Sequence, residues 1–540
     1  PPRVTPIRSD PPGRLSGHDV LAGLSVALIL IPQSMAYAEL AGLPSYHGLY
    51  AAALPPIAAA LLASSPYLQT GPVALTSLLT LGALLPLAPT GTEDYARLAA
   101  LLALVVGIVR VLVGLLRVGW VNYLMSRAVM TGFLSASAIL IVASQLPAAL
   151  GSDAPAGSVL GRAIWAVAHG GSWQGSALAL ALVTAALVVG AAKAHPLIPG
   201  VFLATVGGIA YSASTGYVGA TVGSIPAGLP ALSLALPWEW LPTLLVPGLV
   251  IAVVGFADGA SICRLYASED RQRWDPDREF LSTGAANLVS GLTAGLPVGG
   301  ALARTTVNRM AGARSRWSGL VTGVVVLLFL PFTSVLAPLP VAVLAGIVIA
   351  AIYKLVRPGE LLALWRASPA QALVGWGTFV ATLALAPRID LAVVLGVAMS
   401  ATVHLWRERT PDVTARRLGD TLVLEPRGVL WFGSAPVMEE RLLTRLAEEA
   451  DVKKVVIRAG GLGRIDLTGA YTLAEMLEQA ERAGIEIRLE DVPEHAARVL
   501  DAIGLEHGTL GGDGPAAIPG AEPAASGRID DTGTPSRDVS

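Results

Sequence analysis

The sequence is poor in charged residues and has a single cysteine. Only 14% of its 540 residues are charged, whereas 53% are hydrophobic and the mean hydropathy is +0.62. Soluble domains average about 25% charged residues, so this composition excludes a soluble globular protein and predicts one that lies in the lipid bilayer. The formal net charge of −2 gives no reason to expect a nucleic-acid partner.

Motifs for catalysis and for metal or nucleotide binding are also missing. The single cysteine, Cys263, excludes an internal disulfide, and its apolar surroundings predict a buried, unreactive thiol. The seven histidines lack the spacing of metal ligands. No Gly-x-x-x-x-Gly-Lys-Ser/Thr motif occurs, which argues against pumping driven by ATP. We therefore expect neither an enzyme nor a bound metal or cofactor.

Apolar runs follow one another from Val20 to about Trp406. They supply roughly fourteen candidate membrane spans, several of them shorter than ~20 residues. Most basic residues between the runs fall on the side of the N-terminus, which predicts cytoplasmic N- and C-termini. Residues 1–14 are polar and show no cleavable signal peptide, so we expect a cytoplasmic N-terminal segment there and a transmembrane domain at 15–409.

The transmembrane domain shows an internal repeat. Gly23-Leu-Ser-Val-Ala27 aligns with Gly248-Leu-Val-Ile-Ala252, an offset of 225 residues from 23 to 248. The same offset places Pro72 opposite Pro297. Because the first copy starts at the cytoplasmic side and its partner ends there, an odd number of spans separates them. We therefore expect an inverted repeat of about 15–215 and 240–409.

Two breaks in the apolar sequence predict an anion-binding site. Short helices that start near Pro72 and Pro297 from opposite sides would meet near the midplane, and their backbone N–H groups and dipoles would face one cavity. The donors expected there lie around Val73, Ala74, Ala301 and Leu302, and Arg304 adds a full positive charge. Two alternatives stay open: the breaks only kink ordinary spans, or Arg304 extends to the membrane interface.

Polar side chains on two other predicted helices complete the candidate site. Gln33 and Tyr37 share a helix face and are candidate substrate contacts. Asp258 and Glu39 are candidate ion-coupling carboxylates. The alternative for Asp258 is a structural pairing with Arg304 or a backbone donor, and the alternative for Glu39 is a position at the outer interface of the membrane. Gly255 and Gly259 flank Asp258 with a spacing that lets another helix approach closely.

After Trp406 the chain becomes densely charged and its periodicity changes. The pattern predicts a soluble α/β domain at 410–510 and a disordered tail at 511–540. The expected strands are 421–425, 429–432, 453–458 and 485–490, and the expected helices are 435–449, 468–482 and 494–503. Thr468 resembles a helix N-cap.

Several of these segments resemble the SulP family of anion transporters, called solute carrier family 26 in animals. The resemblance rests on Leu30-Ile-Pro-Gln-Ser-Met-Ala-Tyr-Ala38, Leu40-Ala-Gly-Leu-Pro44, Thr70-Gly-Pro-Val73 and the stretch from Gly299 to Asn308. In the C-terminal domain, Leu422-Val-Leu-Glu-Pro-Arg-Gly428 and Ile465-Asp-Leu-Thr-Gly469 resemble the STAS domain of that family.

The resemblance implies a polytopic α-helical membrane protein followed by a cytoplasmic STAS domain. Its fourteen spans would form a seven-plus-seven inverted repeat, with a core domain that moves like an elevator against a gate domain. The family's anion site maps onto residues 72–76 and 300–304, which include Pro72 and Gly300. Homodimers are common in the family, and standalone STAS proteins carry a phosphorylatable serine at the position of Thr468.

The substrate is the least determined feature of the resemblance. Prokaryotic relatives carry sulfate, bicarbonate or C4-dicarboxylates. Ala303 replaces a serine found in many members. Sodium-dependent members have hydroxyl residues on the helix that carries Ala301, so a sodium site here would lack a hydroxyl ligand. This incomplete ligand shell favours protons over sodium as the coupling ion. Among the substrates of the prokaryotic relatives we expect a dicarboxylate such as fumarate, carried by symport across a bacterial inner membrane. The alternatives are a sulfate, bicarbonate or chloride transporter, exchanger or channel, including a sodium-coupled one, and a membrane signalling protein based on the STAS domain.

Overall fold

The computed structural model describes residues 14–155, 157–226, 228, 232–352, 358–409, 412–448 and 452–507. The chain divides into two compact units, at residues 1–403 and 404–540. The expected disordered tail at 511–540 lies outside the described residues, as does the expected N-terminal segment apart from Arg14.

The first unit is helical, and its elements fall into two halves of the same order. The first half comprises α1 (Gly17–Leu40), α2 (Tyr46–Leu62), β1 (Thr70–Gly71), α3 (Ala74–Leu84), α4 (Glu93–Leu115), α5 (Arg127–Leu150), α6 (Val159–Ala168), α7 (Gly175–Ala194) and α8 (Gly200–Thr215). The second half comprises α9 (Leu241–Glu269), α10 (Pro276–Leu292), β2 (Gly299–Gly300), α11 (Leu302–Met310), α12 (Trp317–Phe329), α13 (Val341–Ile352), α14 (Pro358–Ala367), α15 (Pro369–Ala384) and α16 (Ile389–Glu408).

The correspondence between the halves confirms the predicted two-copy architecture. In each half, the second helix is followed by a two-residue strand and then by a short helix. The second helices, α2 and α10, both have 17 residues. The ten-residue helices α6 and α14 also correspond, and without them seven helices remain in each half of the described chain. Seven helices in the described residues are long and apolar enough to cross a membrane, and shorter apolar helices accompany them. The chain is thus a polytopic helical membrane protein.

The register of the repeat differs from the predicted one. Helix α3 has Val73 as its N-cap and α11 has Ala301, so the breaks correspond at an offset of 228, from 73 to 301. Pro297 lies before β2, and its predicted equivalence with Pro72 is wrong by three residues. Pro72 corresponds to Gly300 instead, and Arg304 corresponds to Thr76.

The helices of the two halves intermingle in two packed groups. Helices α1, α2 and α4 pack with α9, α10 and α12, whereas α5 and α7 pack with α13 and α15. The breaks β1 and β2 belong to the first group, where they pair with each other antiparallel. These two groups agree with the expected core and gate domains.

The second unit is a small α/β domain with its own hydrophobic core. Its sheet has the order β3 (Asp412–Leu418), β4 (Thr421–Leu430), β5 (Lys454–Arg458) and β7 (Glu486–Glu490), and β6 (Leu462–Ile465) pairs with the end of β4. Helices α17 (Ala435–Glu448), α18 (Leu467–Arg482) and α19 (Glu494–Ala502) complete the domain. The strands predicted at 421–425 and 429–432 are one continuous strand, because Pro426 stays in the antiparallel ladder opposite Val413.

Candidate anion-binding site

The centre of the first unit is a two-stranded ladder from which two helices begin. Thr70 pairs with Gly300 and Gly71 with Gly299, and the chain enters α3 and α11 immediately after these strands. The first backbone N–H groups of a helix have no partner inside the helix, and the helix dipole makes that end positive. Ala301, however, donates its N–H to Gln69 O at 3.1 Å, so its predicted role as a free backbone donor is wrong.

Arg304 lies in the first turn of α11 and is buried, with 1% of its surface exposed. The side chain therefore packs inside the protein and does not extend to its exposed surface. Its Nη1 donates to Gln33 Oε1 at 3.0 Å, whereas Nε and Nη2 have no hydrogen-bond partner within the described part of the chain. A Cβ placed on Gly71 would lie 3.4 Å from Nη2, so the guanidinium reaches the β1 strand. A buried cation with unused donors is costly unless an anion binds it.

Helix α1 supplies the polar face that meets Arg304. Gln33 and Tyr37, one helical turn apart, are both buried, and α1 packs against α3 and α11. Tyr37 is close enough to interact electrostatically with both Arg304 and Asp258. The structure thus brings together four residues that the sequence places in three separate segments.

The remaining predicted contacts surround the two helix starts. Val73, Ala74, Pro72 and Gly300 are buried. Leu302, by contrast, has 47% of its surface exposed, which leaves the first turn of α11 open on one side.

Asp258 lies on α9 beside the ladder and is partly buried. A Cβ on Gly259 would lie 3.4 Å from Gly300 Cα, and one on Gly255 would lie 2.8 Å from Thr76 Cγ2. The two glycines thus allow both the β2 backbone and the first turn of α3 to approach α9 closely, whereas the sequence predicted only the approach of another helix. The Arg304 side chain donates its hydrogen bond to Gln33, and Asp258 and Arg304 both lie close enough to Tyr37 to interact with it electrostatically.

Glu39 is partly buried near the end of α1. It lies two residues beyond Tyr37, and successive helical residues turn by about 100°, so Glu39 faces away from the side that carries Gln33 and Tyr37. No described contact joins Glu39 to Arg304.

Three polar residues hold the segment before β2, and of these the sequence analysis included only Thr76, within the range 72–76, and missed Asn287 and Arg110. Thr76 Oγ1 donates to Pro297 O at 2.9 Å, and Asn287 both donates to Val298 O at 3.0 Å and accepts from Val298 N at 2.9 Å. Arg110 Nη1 also donates to Val298 O, at 2.9 Å. An arginine inside the apolar helix α4 was a usable indication, because ionisable residues within membrane spans are rare and mostly functional.

Two buried carboxylates secure the loops that flank the site, and the sequence analysis missed both. Asp19 accepts from the backbone N–H groups of Arg314 and Ser315 at 2.8 and 2.9 Å, and thereby ties α1 to the loop after α11. Glu279 accepts from the N–H groups of Ser64 and Ser65 at 3.1 and 2.8 Å, in the loop that leads to β1.

In the second unit, the predicted capping role of Thr468 is wrong. The N-cap of α18 is Asp466, whose Oδ1 accepts from Gly469 N at 2.6 Å, while Thr468 is exposed in the first turn. An aspartate two residues earlier competes successfully because its carboxylate also accepts from Phe432 N at 3.2 Å.

An inverted helical repeat with a buried, partly unpaired arginine between two helix starts defines an anion-transporting membrane protein. Comparison with known proteins agrees: the Sulfate permease family matches residues 17–378, and the STAS domain matches residues 412–509. This chain belongs to the sulfate permease family and carries a C-terminal STAS domain. Members of the family are transporters, not enzymes.

Relatives and solved structures support this assignment along most of the chain. A probable sulfate transporter of Mycobacterium tuberculosis is 31% identical over 527 residues, covering 91% of this chain and 92% of its own. A sodium-independent sulfate anion transporter of Bos taurus is 28% identical, covering 89% and 85%. The murine Solute Carrier 26 family member A9 anion transporter, in the inward-facing state, shares the fold with a TM-score of 0.85 at 22% identity, covering 91% and 88%. The transmembrane domain of a cyanobacterium bicarbonate transporter has a TM-score of 0.61 at 26% identity, covering 71% and 96%.

Proposed function

We propose that this chain is a secondary active transporter of sulfate. The observation that carries the proposal is the buried Arg304 guanidinium, whose Nε and Nη2 have no partner in the described chain although the side chain is 1% exposed. An oxyanion supplies the acceptors that these donors lack, and the positive starts of α3 and α11 add to its attraction.

The names of the relatives favour sulfate over the dicarboxylate expected from the sequence. The mycobacterial and bovine relatives are both named as sulfate transporters. A compact tetrahedral dianion also suits donors that converge on one point, whereas fumarate separates its two carboxylates. Fumarate is therefore the second candidate, and bicarbonate and chloride follow.

Transport would proceed by movement of the core group against the gate group. The proposed anion site lies on α1, α3 and α11. Because α3 and α11 pack against α1 and α9 of the core group, an elevator-like displacement of this group would carry the bound anion. Protons would drive uptake through Asp258 or Glu39, with sodium as the less favoured coupling ion. The protein would act as a homodimer in a bacterial inner membrane, with both termini in the cytoplasm.

Uptake by proteoliposomes tests this proposal. Labelled sulfate, fumarate, bicarbonate and chloride should be presented separately, each with an inward proton gradient, an inward sodium gradient or neither. We expect sulfate to accumulate with the proton gradient only. Gradient-independent uptake of every anion would overturn symport, and the absence of any anion uptake would favour the signalling alternative.

A further inference from the structure

A second arginine is buried behind the anion-binding site. Arg110 lies on α4 and has no exposed surface. Its Nε donates to Ala252 O at 3.1 Å, its Nη2 to Ile251 O at 3.3 Å and its Nη1 to Val298 O at 2.9 Å. The guanidinium therefore joins α4 to α9 and to the segment that enters β2.

The carbonyls that Arg110 contacts do not depend on it for hydrogen bonding. Ile251 and Ala252 lie inside α9, where each carbonyl accepts from the helix's own N–H groups. Val298 O already accepts from Asn287 Nδ2. A neutral residue at this position would leave no carbonyl without a donor, so backbone satisfaction does not explain why a cation is buried here.

The charge of Arg110 is not cancelled by its neighbours. All its hydrogen bonds go to backbone carbonyls, and no carboxylate within the described ranges pairs with it. Carbonyl dipoles stabilise the guanidinium but leave its net charge in place. Burying an uncompensated charge is costly, so we expect the positive electric field of Arg110 to serve a function of the protein.

This charge lies close to the start of α3. A Cβ on Gly255 would lie 2.8 Å from Thr76 Cγ2 and 2.9 Å from Arg110 Nη2, so both side chains meet the same point on α9. Thr76 belongs to the first turn of α3, and it corresponds to Arg304 in the other half of the repeat. The first half therefore also contributes a full positive charge, from α4 instead of from its broken helix.

We infer that Arg110 is a second electropositive group of the anion site, which makes the site prefer doubly charged over singly charged anions. The inference rests on the proposed binding of an anion at Arg304. It assigns Arg110 a positioning role toward residues 298–300 and a specificity role through its field, without contact to the substrate.

The charge role makes a quantitative prediction. The energy of an anion in the field of a fixed charge is proportional to the anion's own charge. Neutralising Arg110 should therefore lower the binding affinity of a singly charged anion by some factor, and the affinity of a doubly charged anion by the square of that factor. We expect about threefold for chloride and about tenfold for sulfate. A purely structural role would weaken both anions without this relation.

Titration of the purified full-length protein with sulfate and with chloride at constant ionic strength tests the inference, with thermal stabilisation as the readout of binding. Arg110→Met removes the charge but keeps an apolar chain of similar length, and Arg110→Lys keeps the charge but loses the planar fork. We expect Arg110→Met to lower the ratio of sulfate to chloride affinity about threefold and Arg110→Lys to retain the wild-type ratio.

The possible outcomes separate the inference from the function on which it rests. The role of Arg110 would be overturned if Arg110→Met kept the wild-type ratio of sulfate to chloride affinity. It would also be overturned if Arg110→Lys lowered this ratio as much as Arg110→Met does. If wild-type protein responds to neither anion, the proposed anion binding itself fails. If Arg110→Met does not fold while Arg110→Lys does, Arg110→Gln serves as the neutral variant, and an affinity ratio equal to that of wild type in Arg110→Gln would overturn the charge role.

Discussion

Arg304 Nη1 donates a 3.0 Å hydrogen bond to Gln33 Oε1 across 271 residues of sequence. The bond links α11, from the second half of the repeat, to α1, from the first. It uses one corner of the guanidinium and orients the other two donors, Nε and Nη2, which the described chain leaves without partners. Gln33 is neutral, so it holds the arginine without competing for its charge.

The neutrality of Gln33 can be tested by adding a charge. We expect Gln33→Glu to form an ion pair with Arg304 that displaces the substrate, and to lower sulfate uptake by at least about tenfold. Gln33→Ala should raise KM several-fold with a smaller effect on kcat, because only the orientation of Arg304 is lost. The measurement is initial uptake by proteoliposomes. Gln174→Glu, the same change at an exposed position, is the matched control. Equal activity of Gln33→Glu and wild type would show that Arg304 does not bind the anion.

The close approach of β2 to α9 predicts different effects for two facing glycines. A Cβ on Gly300 would lie 2.6 Å from Leu68 Cδ1 and 3.1 Å from Gly259 Cα, so the Leu68 side chain must shift and β2 and α9 must separate by a few tenths of an ångström. A Cβ on Gly259 meets nothing closer than 3.4 Å. We expect Gly300→Ala to lower the rate of uptake several-fold and Gly259→Ala to stay near wild type. Both should be compared with Gly171→Ala, where no atom lies within 4 Å. The reverse order would contradict the described packing.

The two candidate ion-coupling carboxylates, Asp258 and Glu39, can be distinguished by transport mode. Neutralising the residue that carries the coupling proton should abolish accumulation of sulfate but preserve exchange of labelled for unlabelled sulfate, because exchange needs no net proton movement. Asp258→Asn and Glu39→Gln should be measured in both modes. We expect this dissociation for one of the two variants. If both variants still accumulate sulfate, neither residue couples transport to protons.

The cap of α18 predicts a stability difference within the STAS domain. Asp466→Ala removes the hydrogen bonds from Gly469 N and Phe432 N, and should destabilise the domain by about 1–2 kcal/mol. Thr468→Ala changes an exposed hydroxyl and should stay within about 0.5 kcal/mol of wild type. Urea unfolding of residues 404–540 would measure both. A larger loss for Thr468→Ala would restore the capping role that the sequence predicted.

The sequence predicted the membrane fold and the elements of the site because these depend on local features. Composition, apolar runs and Gly/Pro breaks identify spans and broken helices without knowledge of packing. The register of the repeat was less accessible, because the offset varies along the chain. It is 224 from the start of α1 (17) to that of α9 (241), 230 from α2 (46) to α10 (276) and 228 from α3 (74) to α11 (302).

The partners of the buried polar groups could not be predicted from the sequence. The contacts of Arg304 with Gln33 and of Arg110 with Val298 depend on how distant helices pack, and no local pattern encodes them. The cap of α18 could not be predicted for the same reason. Asp466 and Thr468 are both chemically able to cap the helix, and the contact with Phe432 favours Asp466.

Equilibrium binding of labelled sulfate to the purified protein tests most directly whether Arg304 holds the anion. Wild type should be compared with Arg304→Met and with Arg162→Met, which alters an exposed arginine on α6. The structure predicts that Arg304→Met loses at least about tenfold in sulfate affinity while remaining folded, because a charge-assisted contact is removed from a buried site. Arg162→Met should bind like wild type. Unchanged sulfate affinity in folded Arg304→Met would contradict the assignment of this site.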